Sequence, residues 1–361
     1  MTTSLSGLEE AIVQQYGLPW PEVDENAYPA VVTALNAYAQ FTLDDGWAAN
    51  RHMQRLLSSG RGEALTALQE HWVRVMDQDM APVAKSANTL AGTVSEIPQA
   101  IVTLKQTIAY EARALADRNG ITLAAGVLTF GGDATAAAAT AATRDADVTR
   151  QRVAERIRST ASAVRQVLKG LLADPNVIAL ESVPADLANG VGGSVTTGAG
   201  AGAGIAGAGT GAWGGVAGGV AGGGGAAGGV AGRTSGGGAG DSRHAGGDGG
   251  TGGDLSGSTG VRVDHDEHKI AASRIASVSD DVLGRTSAEL ADAVSQHAAA
   301  RAGGSFAEAL APDVDLILDR LAAATAAVGE HLAGALPDAI LLISGDQQST
   351  DDRNRRNFGE L

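Results

Sequence analysis

Eight apolar residues constrain this chain more than any others. Val83, Ala87, Leu90, Val94, Ile97, Ile101, Leu104 and Ile108 alternate steps of four and three without a fault. That is the 3.5-residue repeat of a helix that buries one seam against a partner helix, whereas a half-buried strand would alternate every second residue. Pro98 falls inside the run while the phase continues across it. The pattern therefore predicts a kinked helix, or else a second helix capped by Ser95 with Pro98 in its first turn.

Composition supports the same class. Apolar residues make up 44% of the 361, but aromatics only 3%, so the core must come from Ala, Val and Leu. Small side chains suit helices packed closely side by side, and they suit sheets and deep catalytic pockets poorly. The net charge of −15 speaks against a nucleic-acid partner, because phosphate binding needs a basic face. Without cysteine there is no disulfide framework, thiolate metal site or cysteine nucleophile. Residues 1–10 carry neither a basic nor an apolar leader region, so a cleaved Sec or Tat signal is not expected.

The expected fold is all-α: an elongated antiparallel helical hairpin or bundle, a glycine-rich disordered linker and a second small helical hairpin. Residues 1–189 read as the first domain. Pro19 and Pro21 flank Trp20 in an extended opening, and a helix follows from Tyr28 to Leu57, with Pro29 tolerated in its first turn. Leu65, Leu68, Trp72 and Val75 mark the next helix. Residues 121–132 are apolar but short of the ~20 that span a bilayer, which predicts a buried helix end or hairpin tip. An alanine-rich helix follows over 134–173, stopped at Asp174-Pro175-Asn176.

Residues 190–262 hold about two-thirds of the 51 glycines and read as a flexible linker. Gly207, Gly211, Gly215, Gly219 and Gly223 recur at every fourth position, the spacing of close-packed membrane helices. In so glycine-rich a run that spacing arises by chance, so membrane insertion is the secondary reading. Residues 263–345 read as two amphipathic helices turning at Ala302-Gly303-Gly304-Ser305, the second bent near Pro312. Such a hairpin exposes an apolar face, so it should dimerise or dock on the first region. Residues 346–361 read as a polar tail.

Catalytic patterns are not found. His265 and His268, three apart among acidic neighbours, could share a metal ion, but the better reading is a solvated acidic cap at a helix start. Gly-x-Ser-x-Gly in strand-turn-helix context does not occur, and no Gly-Lys-Ser/Thr follows the glycine tract. Scattered Asp and Glu read as solvated surface charge. No enzyme activity, cofactor or metal is expected.

One ordered set of motifs resembles a known family. Pro19-Trp20-Pro21-Glu22 with Asp24-Glu25, the turn Gly60-Arg61-Gly62-Glu63-Ala64-Leu65, Trp72, the heptad helix and Leu123 to Gly131 follow one another in the order seen in WXG100-like N-terminal domains. Those domains belong to actinobacterial type VII (ESX) secretion proteins, and the resemblance covers roughly half the chain. Gly60 stands where that family places a tryptophan in the turn, and no Tyr-x-x-x-Asp/Glu signal occurs. The resemblance implies a non-catalytic secreted or envelope-associated protein, cytoplasmic before export by a non-Sec route. It also implies a WXG100-type helical partner or self-association. Leu65, Leu68, Trp72, Leu90, Val94, Ile97, Ile101 and Leu104 are the expected packing or partner face. They are core positions first.

Overall fold

Prolines, glycines and short polar caps decide where the helices begin and end. In the computed structural model, residues 5–23, 25–130, 136–196, 265–301 and 304–358 are described. Helix α1 (Gly7–Tyr16) opens on a capping box in which the Ser6 N–H donates to Glu9 Oε2 at 2.8 Å, and it closes on Gly17 in the left-handed region. Pro19 and Pro21 keep the next stretch non-helical, and α2 (Tyr28–Ser59) starts with Pro29 in its first turn. Helix α3 (Glu63–Arg74) passes through a π-turn at Val75–Met80 directly into α4 (Ala81–Ser95).

That π-turn has a local cause. Pro82 has no N–H to give the preceding turn, and a widened turn relieves the clash of its ring. The same device recurs near the other end of the chain, where the π-turn His331–Ala335 precedes Pro337. Pro98 behaves differently. It lies in the first turn of α5 (Ile97–Asn119), which Glu96 alone separates from α4. Ser95 is not the cap, since its Oγ donates back to Gly92 O at 2.6 Å. The apolar phase nevertheless continues, and Val94, Ile97 and Ile101 are all buried.

Gly120, with φ 60°, ends α5 and turns the chain into a two-stranded antiparallel hairpin, β1 (Ile121–Ala124) and β2 (Val127–Phe130). Its turn residues Ala125 and Gly126 both have positive φ, as a tight hairpin turn requires. The hairpin packs on α1 and α5, where Ile121 joins a core cluster with Ile12, Leu18, Leu115 and Ala146. Helix α6 (Ala136–Leu172) then returns along α5. The short α7 (Pro175–Ala179), capped by Asp174, and α8 (Val183–Thr196) complete the first segment. Helix α8 runs as far as Thr196, into residues expected as linker; the rest of the glycine tract, with its fourfold spacing, lies outside the described residues.

The second segment is α9 (His265–Asp281), a π-turn at Val282–Thr286, α10 (Ser287–Arg301), α11 (Ser305–Glu330), the π-turn His331–Ala335 and α12 (Leu336–Phe358). Pro312 lies inside α11, and the residues expected as a polar tail continue helical to Phe358. The chain is thus mostly helical, with one small sheet among the described residues.

Residues 1–189 and 263–345, expected as separate modules, contribute to one compact unit formed by Met1–Ala201 and Val263–Leu361. Helix α2 packs along α4 on one side and along α9 and α10 on the other, and α11 packs on α4, α6 and α8. Of the two arrangements open to the second hairpin, docking on the first region is the one seen. Periodicity shows that a face must be buried; it does not say against what.

Candidate helix-helix interface

Apolar packing accounts for most of the surface where the two segments meet. Leu35, Ala49, Met53 and Leu56 on α2, with Ile275, Val282, Ile317 and Leu321 from the second segment, are at most 3% exposed. Each of these side chains larger than alanine contributes about 1.5–3 kcal/mol when fully buried. Polar bonds then fix the register. Arg55 Nε and Nη2 donate to Glu267 at 2.8 and 2.6 Å, a fork-to-fork pair at one end of α2. Ten residues back along α2, Asp45 accepts from Arg285 Nη2 and from Thr286 Oγ1, both at 2.6 Å. These two contacts show that α2 and the α9–α10 stretch run antiparallel.

The Arg285 guanidinium also lies over the Phe41 ring, 4.4 Å from its centroid. Tyr38 and Thr325 share a buried hydroxyl hydrogen bond, and burial pushes the Tyr38 phenol well up. Arg165 Nε donates to Asp313 at 2.9 Å, and Arg320 pairs with Glu181. His71 on α3 and His331 on the last π-turn meet with their Nε2 atoms 3.1 Å apart. At the open end His265 and Ser344 are bonded at 3.0 Å, which ties the start of α9 to α12.

Asp45 is the most informative of these residues. It is 1% exposed, and burial raises its pKa despite the opposing hydrogen bonds and charge of Thr286 and Arg285. The ionised carboxylate is thus incompletely compensated, and the penalty is relieved as the pH falls through the raised value. Asp45→Ala is expected to lower stability by about 2–3 kcal/mol at pH 7, since it strips both donors of their acceptor. Asp45→Asn keeps one acceptor without the charge and should lose about half as much. Urea unfolding of both variants is the check; an asparagine variant weaker than the alanine one would contradict this account.

The eight predicted positions are all interior. Leu65, Leu68 and Trp72 on α3, Leu90 and Val94 on α4, and Ile97, Ile101 and Leu104 on α5 are each between 0 and 4% exposed. They pack within the chain, and none presents an open face to a second molecule. His265 and His268 are not a solvated cap, because His268 is fully buried and His265 bonds to Ser344. Among the described residues, no group of three or more His, Cys, Asp or Glu could hold a metal ion.

Reading acidic residues as surface charge fails at several places: Glu25, Asp45, Asp79 and Asp313 are buried. Asp79 is pushed up to about 7, first by burial and then by the charge of Asp186, with Arg74 opposing. A polar residue in phase with apolar neighbours was the available signal. Asp45 follows Tyr38 and Thr42 and precedes Ala49, in steps of four, three and four.

A small void between Thr42, Met80, Thr286 and Thr325 measures ≈ 10 Å³, room for about one water molecule. An open groove of ≈ 630 Å³ lies between α5 and α6, lined by Ser95, Glu96, Gln99, Thr103, Arg156 and Thr160. Its one serine hydroxyl is committed to Gly92 O. The helical stretch Phe306–Thr350 is long and apolar enough to cross a membrane by length and composition, yet 50% of its most apolar window is buried within the unit.

No protein-family model, curated protein or solved structure matches the chain. The interface itself is therefore what a functional reading has to rest on.

Proposed function

We propose that this chain is a non-catalytic, type VII (ESX) secretion-associated substrate or effector-delivery protein that works by helix-helix recognition. In this reading the second helical hairpin of a WXG100-like pair comes from the same chain. The observation that carries it is the docking of α9 and α10 along α2, with Asp45–Arg285 and Arg55–Glu267 fixing its register. Support from the sequence comes from the ordered Pro-Trp-Pro-Glu, Gly-Arg-Gly and Trp72 motifs and from the heptad run. Chemistry is left to other proteins, and recognition runs through apolar helix faces with polar bonds that set alignment. Export would follow a non-Sec route from the cytoplasm.

Fractionation of the native host tests this reading. The protein should reach the medium in the wild type and stay in the cytosol of a strain lacking the type VII ATPase. Retention in both strains would remove the secretion claim. A membrane-active role is the second reading, and the apolar stretch Phe306–Thr350 is its specific support. Leakage of dye from neutral vesicles at micromolar protein would favour that role over helix recognition.

A further inference from the structure

Two histidines meet ring to ring inside the interface, one from each segment. His71 and His331 are 5% and 4% exposed, with ring centroids 5.1 Å apart and planes tilted by 59°. One Nε2 donates to the other across 3.1 Å. The accepting ring therefore keeps its proton on Nδ1, and the donating ring has a bare Nδ1 lone pair. Neither Nδ1 has a hydrogen-bond partner. Among the described residues no carboxylate pairs with either ring, although Glu70 on α3, Asp186 on α8, Asp281 on α9, Glu330 on α11 and Asp338 on α12 sit on the adjoining elements. Among the described residues no third His, Cys, Asp or Glu joins them in a group that could hold a metal ion, and a bare Nδ1 lone pair is a site for a proton.

We propose that His71 and His331 form an acid-operated latch: neutral, the pair lets α9–α12 close on the first segment, and protonation favours the opened arrangement. The inference concerns the interface alone and does not depend on the secretion reading. Burial, with Arg74 adding, holds His71 down to about 4, and burial with the neighbouring ring does the same to His331. In water both rings would return to about 6.5. The contribution of the latch is thus fully present above about 6.5 and is lost as the pH falls toward 4. A first added proton meets a buried site with no anion, and a second is opposed by the first and by Arg74.

Other groups modulate the slope. Asp45 has a raised value in the closed state and releases its proton when the interface opens, which opposes the histidines. Asp79 is raised by burial and by Asp186, and to the extent that opening uncovers it, it too releases its proton and opposes the histidines. His297, lowered by burial, belongs to the second segment, with Asp315 and Arg301 beside it. His52 on α2, lowered by burial and by Arg274 on α9, adds to the uptake. Net uptake of between one and two protons follows, so the closed-to-open ratio should fall about 10- to 100-fold per pH unit between ~6 and ~5.

The 361-residue chain has no cysteine, so a fluorophore pair can be placed by Ser58→Cys on α2 and Ser277→Cys on α9, both exposed. Energy transfer should drop reversibly between pH 6.5 and 4.5, with the far-ultraviolet helical signal retained. His331→Gln should reduce the slope by about one proton, and His71→Leu with His331→Leu should hold the interface closed to about pH 5. A wild type that keeps its transfer down to pH 4.5, or a double variant that opens as the wild type does, overturns the latch. If the double variant does not fold, an unchanged slope in His331→Gln does the same.

Discussion

Replacing Lys105 with methionine is expected to destabilise the protein by about 3–5 kcal/mol, the largest single effect anticipated for a charged residue here. Lys105 is 6% exposed, and its Nζ donates to Val23 O at 2.8 Å and to Glu25 Oε2 at 2.6 Å, with Glu25 itself 3% exposed. This pair clamps the extended Pro19–Val23 stretch, which cannot hold itself by helical hydrogen bonds, onto α5. Removing only the ammonium leaves a carboxylate and a carbonyl facing the vacated space without water to replace the donor. Removing both charges in Lys105→Met with Glu25→Leu should recover much of the loss, because a buried ion pair has little net worth against an apolar pair of similar volume. Urea titrations of the single and double variants read this directly. A single variant within about 1 kcal/mol of wild type would mean that solvent reaches the pair.

Trp72→Ala should lose about 3–5 kcal/mol through the cavity left between α3 and its neighbours. The ring is 1% exposed, and its Nε1 donates to Asn50 Oδ1 on α2 at 2.9 Å, so the change removes packing and leaves an amide short of a donor. Trp72→Phe fills most of the volume and gives up the hydrogen bond, so its loss should be about half as large. Comparing the two in denaturant separates packing from polar contact. Equal losses would assign nearly all of the effect to the bond with Asn50.

Much of this core is legible from spacing alone. Leu90, Val94, Ile97, Ile101 and Leu104 are interior because a 3.5-residue repeat leaves them no other place, and the break at Pro98 does not disturb the phase. What spacing lacks is the identity of the neighbour. Nothing in α2 announces that Asp45 will meet Arg285 and Thr286, 240 and 241 residues away. The same holds for Tyr38 with Thr325 and for His71 with His331. Such partners are set by three-dimensional packing and not by local pattern. Polar residues in phase with apolar ones were the only advance notice. Buried acids also escaped the general expectation that charge lies on the surface, since that expectation fails where a donor arrives from elsewhere in the chain. The π-turns at Val75–Met80 and His331–Ala335 each lead into a proline, Pro82 and Pro337, whereas Val282–Thr286 leads into none and Pro312 sits in α11 without one.

The long sequence separation of these contacts has a kinetic meaning. Chains dominated by distant contacts close their cores slowly, because the entropy of bringing remote residues together comes before any reward. Helix α2 is finished early in synthesis, whereas the residues that cover the side away from α4 begin at His265 and reach Thr325. At roughly 5–20 residues per second, a ribosome takes on the order of 6–26 s to pass from Thr196 to Thr325. Throughout that interval the nascent chain carries an uncovered apolar face on α2, and any chaperone or export receptor that must act before the core closes has that time in which to bind.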